Sequence, residues 1–273
     1  MPKFNPDNLN IHELAIEEPE KESELLFDPD RDMIPADWEM INKHIESCKG
    51  NGPNLISFLL TSKLCGREIK LEEKEWEEII DDCVNRYNED GDGAGNMQID
   101  GGANFFYQLR ALNPNVNEKY QKLIRPDNIS PIEKALKSCR DKHELYWLPK
   151  IAAGMAVMGL DAKLTLEEKE EMKAYLENYR HENQWLAEYL SDLRLLGVDA
   201  KVTKNDWEKI FGVLERFRVN IGVMGAETAK LFTDMAILSA DEVHIPEGGG
   251  LELIHHKKDL QTECPQIPEQ KQF

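Results

Sequence analysis

"HELYWLPKIAAGMAVMGLDAKLTLEEKEEMKAYLENYR", residues 143–180, falls without a gap on "HENQWLAEYLSDLRLLGVDAKVTKNDWEKIFGVLERFR", residues 181–218. The offset is 38, and 13 of the 38 positions are identical, among them His143/His181, Trp147/Trp185, Gly159/Gly197 and Thr165/Thr203. Trp38 and Trp76 are also 38 apart. A fixed period in this range is the signature of a repeated supersecondary unit.

Each unit reads as two helices. The first stops at a glycine, Gly66, Gly159 or Gly197, which suits the left-handed residue just past a helix end. Five residues later stands Leu71, Leu164 or Val202, and a capping box follows: Thr165 with Glu168, Thr203 with Asp206, and Ser130-Pro131-x-Glu133 as a variant. Such hydroxyls accept from the unpaired amides of a first helical turn, and proline suits the first helical position. Counted from the Trp phase, the second helix places apolar residues at +3, +7 and +10: Ile41, Ile45 and Cys48; Met172, Leu176 and Tyr179; Ile210, Leu214 and Phe217. That is helical periodicity, and strand signals are nearly absent. The fold expected is all-α, with tandem helical hairpins stacked as an α-solenoid-like array.

Along the chain this predicts an orphan second helix at 35–49, then hairpins near 53–88, 103–142, 147–180 and 185–218. A last unit at 224–254 has a degenerate second half around "IPEGGG". Within 103–142, "NEKYQKLI" and "PIEKALKSC" read as separate helices. Residues 1–32 read as an acidic, largely disordered arm, with nine acids between Glu13 and Asp32 and prolines at 2, 6, 19 and 29. In it Ile16, Leu25, Leu26 and Phe27 form a candidate docking motif. The helical-repeat domain is 33–254, interrupted by an insertion at 88–102, and 255–273 reads as a tail.

The units resemble the α-solenoid class, such as TPR and HEAT repeats, in architecture over roughly 35–240. They are also similar to repeats with an I-T-x-x-D-W-E opening known from uncharacterised proteins. That resemblance implies a protein-binding surface and carries no activity with it.

Charge narrows the partner classes. The formal net charge is −19 over 273 residues, a field that repels nucleic-acid phosphates and anionic lipid surfaces and favours basic partners or cations. Only "HHKK", residues 255–258, gathers basic groups, and it reads as a mobile segment. No stretch reaches the roughly 20 apolar residues a membrane span needs; the longest, "IAAGMAVMGL" at 151–160, is half that. No apolar leader core stands at the N-terminus. The five cysteines (48, 65, 83, 139 and 264) lack CxxC spacing, which points to a reducing cytoplasm.

Chemistry-bearing motifs are sparse. His143-Glu144 and His181-Glu182 begin like HExxH zinc helices, but Trp147 and Trp185 occupy the fifth position where the second imidazole is required. The insertion "NEDGDGAGNMQIDGG" gathers Asp90, Asp92, Asn96 and Asp100 as Ca²⁺ candidates. The EF-hand register from Asp90 fails at its twelfth position, which is Gly101. Glu39, Glu77, Glu170 and Glu208 follow the Trp phase beside the apolar stripe, where they suit the first-turn helix dipole.

The function expected is a non-catalytic scaffold: a curved right-handed stack that binds a basic protein partner through an extended acidic surface, without cofactor, nucleic acid or membrane. Two alternatives stand beside it. One is an all-helical enzyme with a carboxylate or divalent-metal site, weakened by the lack of an inward-facing acid at a repeated position. The other is a scaffold with a Ca²⁺-responsive loop at 88–102.

Overall fold

The computed structural model describes residues 26–48, 52–67, 69, 71–89, 107–112, 126–181, 184–220 and 225–255. The described residues are mostly α-helical, with very little strand. The helices are α1 (Pro29–Asp32), α2 (Pro35–Ser47), α3 (Gly52–Leu64), α4 (Glu73–Glu89), α5 (Pro126–Lys142), α6 (Leu148–Val157), α7 (Leu166–Tyr179), α8 (Leu186–Leu195), α9 (Lys204–Val219) and α10 (Gly225–Ser239). Residues 107–112 are helical as well. A two-stranded antiparallel hairpin, β1 (Glu242–His244) and β2 (Glu252–Ile254), follows α10.

The helices are of two kinds. Central helices α6, α8 and α10 are buried almost all round, whereas α7 buries only Met172, Leu176 and Tyr179. This follows from composition: a helix apolar on every side must be enclosed, and one with a single apolar stripe lies outside with its charges in water. The predicted stripe residues Ile41, Ile45, Ile210 and Leu214 are buried. The small residues Ala152, Ala153 and Gly154 of α6 are buried too, so neighbouring helices approach closely there.

Three central helices run in the same direction. Residues near their starts meet in one charged network, described below, and Val157, Leu195 and Ile237 near their ends share one apolar cluster with Leu60, Ala111 and Leu251. Helix α10 packs on α8 and also on α3, α2 and α9, so the last long helix lies against the first ones. Polar contacts reinforce that junction, with Thr61 Oγ1 2.9 Å from both the Ala229 carbonyl and Thr233 Oγ1.

The expected helix boundaries have a local cause. Gly66, Gly159 and Gly197 have φ of 84°, 79° and 64°. In each case the amide after the glycine donates back to an earlier carbonyl: Arg67 to Ser62, Leu160 to Met155, and Val198 to Leu193. The Thr165/Glu168 and Thr203/Asp206 capping boxes are both formed. In each, the acid at the third helical position does a second job. Arg140 at the end of α5 donates to Glu168 at 2.6 Å, and Arg180 at the end of α7 donates to Asp206 at 3.0 Å. Arg218 at the end of α9 donates to Asp37 of α2 at 2.5 Å. Asp37 and Asp206 are fully buried. The same arginines reach backbone carbonyls, those of Ala162, Lys201 and Asp32.

Several expectations are corrected. Ser130-Pro131 does not open a helix, because α5 begins at Pro126 and runs through it. Pro126 already supplies the favoured first-position proline. The stretch around "IPEGGG" is no second helix but the turn of the β-hairpin. There Gly250 N–H donates to the Val157 carbonyl at 2.7 Å and Arg110 donates to the Gly248 carbonyl at 2.6 Å. Within the N-terminal arm, Leu26–Asp32 pack on the body: Phe27 is 3% exposed and its ring lies 6.0 Å from that of Phe232. Residues 1–25 and 256–273 lie outside the described residues.

Two substitutions separate local from tertiary causes. Gly197→Ala meets no neighbour and should cost only the left-handed backbone penalty, about 1–2 kcal/mol. A Cβ at Gly159 would stand 2.5 Å from the Gly248 carbonyl carbon, so Gly159→Ala should cost clearly more and displace the hairpin. Arg218→Ala strips the buried Asp37 of its cation and should cost about 3–5 kcal/mol. Lys74→Ala, at an exposed i,i+4 pair with Glu78, should stay within about 0.5 kcal/mol. Urea titrations of the four variants measure all of this.

Candidate functional site

Two places gather functional groups. The first is a network where the starts of α6, α8 and α10 converge. Glu188 Oε1 of α8 lies 3.2 Å from Lys150 Nζ of α6 and 3.3 Å from Lys230 Nζ of α10. Both ammonium groups are thus paired with the one carboxylate. Lys230 also reaches Asp234, one turn on, at 3.0 Å, and Ser191 Oγ donates to Asp234 at 2.9 Å. Asp192, one turn beyond Glu188, shares a recess with it.

Three carboxyl groups and two ammonium groups in a confined space cannot all titrate normally. Burial pushes the Asp192 carboxyl well above the usual range, and the nearby Glu188 charge adds to the shift. Burial raises Asp234 as well, against the pull of Lys230. Glu188 goes the other way: burial opposes its charge, but Lys230 and Lys150 together outweigh it and hold the carboxyl below its ordinary value. The Lys230 ammonium is raised, because Asp234, Glu188 and Asp192 overcome its own desolvation. Burial likewise raises the Tyr107 phenol, which feels the charges of Lys230 and Asp234. Neighbouring carboxyls with pKa values pushed apart are the arrangement from which acid–base chemistry is built.

The network has an aromatic border. The rings of Tyr179 and Tyr189 stack at 4.0 Å, Tyr146 stacks on Tyr179 at 5.6 Å, and Tyr189 Oη donates to the Met172 carbonyl at 2.9 Å. Trp185, just before α8, is 38% exposed and lines two shallow recesses. One holds Glu188 and Asp192, the other Glu188 and Asp234.

The second place is a surface cleft of about 650 Å³ along α1 and α2. Pro29, Met33, Pro35 and Trp38 supply its apolar walls, and the Arg67 guanidinium lies 3.8 Å over the Trp38 ring. Asp30, Glu39 and Glu46 line it with Lys43.

The sequence-level candidates are placed elsewhere. Asp90, Asp92, Asn96 and Asp100 lie outside the described residues. Among those described, no group of His, Cys, Asp and Glu could hold a metal ion, and no helix is long and apolar enough to cross a membrane. His143 and His181 sit in turns, and Glu39, Glu77, Glu170 and Glu208 are exposed. Trp38 and Trp207 are buried and Trp76 half-buried. Inward-facing acids, missed in the sequence, are Glu188, Asp192 and Asp234. The signal was the 38-residue offset, which sets Lys150 opposite Glu188, together with acids spaced i,i+4 on helices otherwise apolar.

The opposed shifts give opposite pH dependences. An acid raised in the folded state is protonated there while the unfolded chain ionises, so Asp192 costs stability progressively above the unfolded value of roughly 4. Asp192→Asn should therefore be more stable than wild type at pH 8, the gap closing toward about pH 4. Glu188 is lowered, so its contribution is present above the unfolded value and lost as pH falls through the folded one. Glu188→Gln should be destabilised at pH 7 and approach wild type in acid. Thermal melts across pH 3.5–8.5 read both.

Compared with known proteins, the chain matches no family model, no curated protein and no solved structure.

Proposed function

We propose that the chain is a non-catalytic scaffold: its hairpins form one continuous helical-repeat array, and a basic segment of a protein partner docks in the cleft over Trp38. The observation that carries this reading is the cleft itself, about 650 Å³ open to solvent with an apolar floor and three acids. A buried aromatic or aliphatic anchor supplies most of the affinity at such a site. Met33, Pro35 and Trp38 offer that anchor a floor, and the Arg67 guanidinium holds the indole in place. Asp30, Glu39 and Glu46 outnumber the cations Lys43 and Arg67, on a chain whose net charge is −19. The field thus attracts a basic segment and repels an acidic one, chiefly through the encounter rate.

The first and last helices also meet here in the proposed array. Helix α2, which forms most of the cleft, packs on α10 and is clamped to α9 through Arg218 and Asp37. A partner seated on α2 would therefore read a rigid surface.

A photo-crosslinking residue at Asn42, inside the cleft, tests this in the full chain against a native lysate. The same residue at Gly212, on the open face of α9, serves as control. The expected result is one protein captured from Asn42 and not from Gly212, weakened by salt and by a lysine-rich competitor peptide. Glu39→Lys with Glu46→Lys should reduce that capture about tenfold, the scale of a few rim charges. Equal capture at both positions, or none at Asn42, rules the reading out.

A further inference from the structure

We propose that the exposed face of Trp185, with the recesses on either side of it, is a second binding site, and that its ligand is a neutral saccharide ring. The argument starts from exposure. Among the described residues, Trp185 is one of the few large apolar side chains left open to solvent, although it stands directly before a helix whose residues Leu186, Ala187, Tyr189 and Leu190 are buried. Its neighbour one unit earlier, Trp147, is half-buried against Tyr146 at 4.6 Å. The same position in the two units thus has one packed indole and one presented indole.

The chemistry around the presented indole selects the ligand class. Glu188 lies on both sides of it, joined by Asp192 in one recess and by Asp234 and Glu227 in the other. Lys150 lines the first recess and Lys230 the second, so each offers acceptors and a donor at once. An organic cation is disfavoured, because two ammonium groups already stand within 3.3 Å of Glu188. An anion is disfavoured by Glu188 and Glu227 at the recesses and by the chain's net charge of −19. A purely apolar ligand would strand these polar groups without water or partners, which is unfavourable. What remains is a neutral molecule with one apolar face and a rim of hydroxyls that both donate and accept. A pyranose ring has that form.

The recesses are shallow, so the ring lies across the indole with its hydroxyls reaching down on either side. The polar groups can be reached from outside: the side chains of Lys150, Lys230 and Glu188 are 23%, 29% and 12% exposed. They are also held in place, Asp234 by Ser191 and Lys230, and Lys150 by Glu188 with its ammonium 5.1 Å from the Trp147 ring. A site whose donors and acceptors are already oriented loses little freedom on binding.

The test is a glycan array of neutral and charged saccharides probed with the full chain, followed by calorimetry with each saccharide bound. The expected result is binding confined to neutral saccharides. Trp185→Ala should weaken it at least tenfold, Trp185→Phe less, and Lys150→Met at least threefold, in proteins whose thermal melts confirm folding. Lys74→Ala, at an exposed side chain of α4, should leave it unchanged. No bound saccharide, a preference for charged ones, or affinity indifferent to Trp185→Ala overturns the proposal.

Discussion

An arginine at the end of one flanking helix reaches the acid that caps the start of another, and much of the structure hangs on that contact. The acid at the third helical position accepts from its own helix's cap residue, as Glu168 does from Thr165, Asp206 from Thr203 and Asp37 from Ile34. It then accepts the guanidinium of Arg140, Arg180 or Arg218. The clamp fixes the position of successive flanking helices with one planar, always-charged fork, and lysine could not reproduce that geometry. Because Asp37 and Asp206 are fully buried, each clamp is an obligation as well as a link. A buried carboxylate without its cation is among the costlier defects a fold can carry. Two of the three clamps join flanking helices separated by one central helix in the chain, and the third joins α9 to the distant α2.

Among the central helices the electrostatics are less settled. The clamps pair one acid with one arginine, but the network at the starts of α6, α8 and α10 holds three carboxyls against two lysines. Its surplus acid is accommodated by protonation, with Asp192 and Asp234 raised and Glu188 lowered. Packing alone does not call for such groups. Apolar residues of similar volume in these positions would often be as stable or more so. The opposite ends of the same helices are closed by apolar contacts and by the hairpin, through Leu251, Gly250 and Arg194. Polarity at one end and closure at the other give the central helices a direction, and both proposed binding surfaces lie where polar groups remain reachable.

Much of the secondary structure was legible before any coordinates. The glycine stops, the threonine caps and the apolar stripes are local signals, each needing only a few consecutive residues, and they placed α6 through α9 closely. The hairpin after α10 was missed because a three-residue strand carries too little periodicity, and because its turn is held by tertiary contacts from Val157 and Arg110. Phe27 was read as part of a docking motif, but its partner Phe232 could not be named, being more than 200 residues away.

The sequence by itself determined that this chain is acidic and mostly helical, because helix starts, stops and buried stripes are written within one or two turns. Which helices would be enclosed followed from their composition. That α2 would close against α9 and α10, and that Lys150, Glu188, Asp192, Lys230 and Asp234 would share one space, was decided only by the tertiary structure. A charge in a sequence has no burial and no neighbour beyond its own helix. Both come from the packing of distant segments, and they alone turn an ordinary glutamate into a paired interior one.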